Sequence, residues 1–112
     1  MKRIHYASGT LVTGDAIADV LVRYAASLAA NNAAADVHAP ALMESGKIGD
    51  VQLLLGPASQ ILAEDEPGDH PELEDAEFVE RYEKLVAALG PRRAEFVASG
   101  TEAGEDLDID YL

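Results

Sequence analysis

The sequence predicts an α+β domain of the ferredoxin-like, split βαβ kind, β-α-β-β-α-β, with two helices on one face of a four-stranded antiparallel sheet. Three observations carry that expectation. Two long stretches, 15–30 and 75–89, set apolar residues at helical spacing. A dense apolar run, Val51 to Leu55, has no polar helical face and reads as a strand buried on both sides. Short segments at 4–7, 36–42 and 93–98 alternate in character as half-buried strands do.

Taken in order, Ile4 and Tyr6 alternate with His5 and Ala7 in a first strand that breaks at Ser8-Gly9-Thr10, and Leu11-Val12-Thr13 can extend it beyond a bulge at Gly9. From Asp15 to Ala30 the period becomes helical. Ile17, Leu21, Tyr24 and Leu28 form one stripe, Thr13 or Asp15 is placed to cap the start, and Asn31-Asn32 suit a left-handed exit. Asp36 to Leu42 then makes a hairpin with the run that Ile48 begins, through the turn Glu44-Ser45-Gly46-Lys47. Pro40 cannot donate to a ladder, which marks this second strand as an edge, and Gly49 suggests a bulge in the returning one.

Gly56-Pro57 stops the apolar run. After Ile61-Leu62-Ala63, the acidic segment Glu64 to Pro71 is rich in breakers and reads as an exposed loop. Asp69 with Glu72 resembles a capping box, so the second helix is expected to begin near Pro71, with a firm part from Asp75 to Leu89. Its stripe is Phe78, Val79, Tyr82, Leu85, Val86 and Leu89, and Gly90-Pro91 ends it. Arg93 to Ala98 supplies the last strand. In the expected topology the first and third strands lie parallel in the middle of the sheet, and the second and fourth are its edges.

The chain of 112 residues is sized for one domain, residues 1–98, followed by an acidic tail, 99–112. In that tail Leu107, Ile109 and Tyr111 alternate with aspartates, as an added edge strand would. With no cysteine there is no disulfide, zinc thiolate site or thiol nucleophile. A net charge of −13 opposes binding to nucleic acid and to anionic membranes. No window approaches the ~18 apolar residues of a membrane span, and the basic start lacks an apolar core, so a cytoplasmic protein is expected.

If the first and third strands are neighbours, the loops after them meet. Ser8, Gly9, Thr10 and Thr13 would then face Gly56, Ser59 and Gln60 in a candidate site for a small polar or anionic ligand, with His5 within reach of Ser59. Neither phosphate-binding glycine spacing, GxxxxGK[ST] nor GxGxxG, occurs. The cluster Glu64, Asp65, Glu66, Asp69 and His70 fits no calcium loop, so no metal site and no cofactor are expected. Leu42, Leu54 and Val97 would make the uncovered sheet face partly apolar, as an association surface requires. The leading expectation is therefore a non-catalytic module that self-associates or binds a protein partner. The alternative is a small polar-ligand binder or simple enzyme working at the two loops.

Overall fold

The computed structural model of the chain describes residues 1–7 and 9–90. Within them the order is β1 (Lys2–Tyr6), β2 (Gly9–Thr13), α1 (Asp15–Ala30), β3 (Ala35–Leu42), β4 (Ile48–Leu55), β5 (Ile61–Asp65) and α2 (Ala76–Leu89). Ser8, the strand expected at 93–98, the tail with its 107–111 segment and the domain boundary between 98 and 99 lie outside the described residues. The fold is α+β, with one antiparallel sheet and two helices.

The sheet departs from the ferredoxin-like expectation. It has five strands rather than four, in the order β4-β3-β2-β1-β5, and every pairing is antiparallel. β1 and β4 are thus separated by two strands instead of lying side by side. The apolar run at Val51 to Leu55 belongs to an edge strand, and the middle of the sheet is β2. The cause is local. Tyr6 pairs with Gly9 across a two-residue connection, so β1 closes on β2 as a hairpin before any crossover is made. Gly9 sits in that regular register rather than in a bulge, and Ala7 takes a positive φ of 53° to make the turn.

Pro40 lies on an inner strand, not at an edge. Beside β2, however, the β3 ladder is confined to Val12 opposite Leu42, and the Pro40 carbonyl accepts instead from the buried Thr13 hydroxyl at 2.8 Å. The proline is accommodated where main-chain pairing is already interrupted. Gly49 keeps regular register opposite Ala41; a Cβ there would approach Met43 to 2.7 Å, so the glycine makes room for that side chain.

Both helices follow their sequence signals. Ile17, Leu21, Tyr24 and Leu28 of α1 are all buried, and Phe78 and Tyr82 of α2 join the same core. The two helices meet through Tyr24 and Tyr82, edge to face at 5.2 Å. Burial raises the Tyr24 phenol above its ordinary pKa. Asn32, at φ 52°, makes the left-handed exit from α1. The caps differ from expectation. Gly14 is the N-cap of α1 without a side-chain bond, and Glu72 reaches across from another segment to accept from the Asp15 N–H at 2.5 Å. At α2 the cap is Asp75, which accepts from the Phe78 N–H at 3.0 Å, so the helix starts at Ala76 rather than near Pro71.

One short connection joins the two edges of the sheet. The Ser59 N–H donates to the Gly56 carbonyl at 3.0 Å, closing a turn between β4 and β5. With that turn in it, the path from Leu55 to Ile61 reaches no more than about 18 Å. Five strands laid flat are about 19 Å across. β4 and β5 are opposite edges of the sheet, so this connection is short for the span between them.

Candidate functional site

A hollow of about 540 Å³ lies beside this connection. Its walls include Tyr6 at the end of β1, Ala34 before β3, Leu54 on β4, and Pro57, Ala58 and Gln60 on the β4–β5 connection. The loops that were expected to meet between neighbouring parallel strands therefore do approach each other, by a different route. Residues of the β4–β5 connection and of the β1–β2 turn line the same hollow.

Of the expected site, Gly56, Ser59 and Gln60 line this hollow, whereas Thr10, Thr13 and His5 have partners elsewhere. The Ser59 hydroxyl accepts from the Gly56 N–H at 2.9 Å, so it closes its own turn. Thr13 is fully buried on Pro40, away from the surface. Thr10 accepts from Arg3 Nη1 at 3.2 Å on an exposed part of β2. His5 does not meet Ser59: its Nε2 lies 2.5 Å from Glu64 Oε2 on the neighbouring β5. Gly9 is exposed, Gly56 packs against Ala34, and Gln60 remains as an exposed amide at the hollow.

Sequence reasoning missed the role of the acidic segment. Glu64 and Asp65 are not loop but the end of β5, and they pair with β1. Lys2 binds Asp65 at 2.6 Å, and Arg3 holds Glu66 in a fork with both bonds at 2.8 Å. Lys2 and Arg3 accordingly hold the Asp65 and Glu66 carboxyls below their ordinary pKa. A signal was present. Lys2, Arg3 and His5 on one short segment are complementary in charge to Glu64, Asp65 and Glu66 on another, as cross-strand neighbours are. Of the acids in that cluster, Glu64, Asp65 and Glu66 are used in these pairs, and among the described residues no group of three or more could hold a metal ion.

The most open apolar surface lies on β4. Its outward side chains are Ile48, Asp50, Gln52 and Leu54, and Ile48 and Leu54 are 53% and 64% exposed. Leu54 and Gln52 face outward together, as expected for the association face; Leu42 is half-buried and Val97 lies outside the described residues. Between the two leucine-type ends the face is polar. His38 Nδ1 meets Asp50 at 2.9 Å, and the Gln52 amide donates to both oxygens of Asp36 at 3.0 Å. The Asp50 hydrogen bond raises the His38 pKa above its ordinary value. On β5, Leu62 is also 56% exposed.

No helix among the described residues is long and apolar enough to cross a membrane. Compared with known proteins, the chain matches no family model, no curated protein and no solved structure.

Proposed function

We propose that this protein is a small non-catalytic interaction module that associates with itself through the exposed β4 edge and the hollow beside it. The observation that carries the reading is Leu54, which stands 64% exposed on an end strand of the sheet and also lines the hollow. A large apolar side chain on an unpaired strand loses water contact only when something covers it. The hollow adds Tyr6, Ala34, Pro57 and Ala58 to the same surface, and the Ser59 hydroxyl oxygen beside them accepts from the Gly56 N–H within its own turn.

The test is the mass of the protein in solution over a wide concentration range, by light scattering or sedimentation. Wild type is expected to shift to a dimer as concentration rises, and Leu54→Lys to remain monomeric with an unchanged thermal melt. A wild-type chain that stays monomeric throughout overturns the reading.

A further inference from the structure

We propose that β4 pairs with β4 of a second copy of this chain, antiparallel and about a two-fold axis at Val51, so that two sheets become one. This deepens the self-association reading above and rests on it. β4 is eight residues long and, among the described residues, is bonded on one side only, to β3. An end strand of that length, with apolar side chains at both ends, is a template for another strand unless something guards it. The opposite edge is guarded. Pairing β5 with itself about its centre would set Leu62 against Glu64 and Ile61 against Asp65.

The outward face of β4 is self-complementary in one register. Directly opposed residues in an antiparallel pair point to the same side, so an axis at Val51 places Ile48 opposite Leu54 of the second copy, and Asp50 opposite Gln52. Both pairings occur twice, as an isologous contact demands. Two apolar pairs then flank two carboxylate–amide pairs. Moving the axis to Asp50 would put that carboxylate against itself and Ile48 against Gln52. Slipping by one residue would oppose outward to inward side chains, setting Asp50 against Leu53. Charge and hydrophobicity therefore choose both the partner and the register.

The chain contains no cysteine, so engineered thiols report on this geometry without background. Ile48→Cys protein is mixed with Leu54→Cys protein under mild oxidation. A mixed disulfide between the two chains is expected, since opposed positions lie within bridging distance. Either variant alone is expected to give none, because like positions in the pair stand about 20 Å apart, far beyond the ~7 Å limit. In parallel, Ile48→Lys is expected to weaken association by about tenfold. Adding Leu54→Glu to the same chain is expected to restore it through the opposed charges. A wild-type dimer that yields no mixed disulfide, or a disulfide from one variant alone, overturns the register while leaving self-association standing. A wild-type monomer with no mixed disulfide removes both.

Discussion

The Thr13 hydroxyl donates to the Pro40 carbonyl at 2.8 Å from a position with no solvent exposure, and this bond ties β2 to β3 where their main-chain ladder narrows to Val12 and Leu42. It holds the long β3–β4 hairpin onto the rest of the sheet. The bond also uses a hydroxyl that looked, in the sequence, like part of a ligand site.

Thr13→Val keeps the shape of the side chain and removes the donor, leaving a buried carbonyl without its partner. A loss of about 1–2 kcal/mol is expected. It should appear as a lower midpoint of urea unfolding with an unchanged slope.

Gly14 has no room for a side chain: a Cβ there would fall 1.8 Å from the Leu73 carbonyl oxygen. Gly14→Ala must push the β2–α1 corner away from the segment before α2, at an expected cost of about 1–3 kcal/mol. Gly46→Ala meets nothing within 4 Å and is strained only through its φ of 85°. Its expected cost, about 1 kcal/mol, is smaller. Thermal melts of the two variants side by side check the order.

The Met1 amine lies 2.8 Å from Glu72 and 3.0 Å from Asp15. Its pKa is raised above 8.0, chiefly by the bond to Glu72 and then by that to Asp15. Glu72 is lowered below 4.5, chiefly by the amine and then by the Asp15 N–H. The depressed acid contributes in full above 4.5, and its contribution is lost as pH falls through the lower folded value. The raised amine contributes in full below 8.0 and loses its contribution as pH rises through the higher folded value. Glu72→Gln is expected to cost about 0.5 kcal/mol at neutral pH, as partly exposed pairs do. It should also flatten both limbs of the stability profile measured by chemical denaturation.

His38 is expected to titrate above 6.5, chiefly through its hydrogen bond to Asp50. Its contribution to stability is full below 6.5 and fades as pH rises through the raised value. Proton NMR of the imidazole ring follows the midpoint directly. Asp50→Asn should move it down, and an unmoved midpoint would separate the two residues.

Both helices were legible because their signals are local. The stripe Ile17, Leu21, Tyr24 and Leu28 closes on itself within one element, and α1 runs from Asp15 to Ala30 as its period predicts. Of the strands, β1, β3 and β4 were legible, whereas in the sequence β2 reads as a continuation of β1 and β5 largely as loop. Their neighbours were not legible. Alternation states that a residue has an inward and an outward side, and says nothing of which strand lies alongside. The acidic stretch at Glu64 to Glu66 read as loop because carboxylates in series are usually solvated; only Lys2, Arg3 and His5 across the gap make it strand and rim. Around the site, Leu54 is exposed as its alternation implies, Ser59 and Gln60 line the hollow, and Thr13 and His5 are bonded to Pro40 and Glu64, partners that no local pattern names.

The amino-acid order by itself determined the span and buried face of α1, the existence and end of α2, the hairpin between β3 and β4, and the acid-rich, cysteine-free character of the chain. Each depends on residues a few positions apart, or on composition. Tertiary structure alone decided that β2 is the middle strand, that β4 is an open edge, and that the β4–β5 connection lies beside the β1–β2 turn. Those outcomes depend on which distant segments satisfy one another's hydrogen bonds and charges, and that choice is made among strands that alternation alone leaves equivalent.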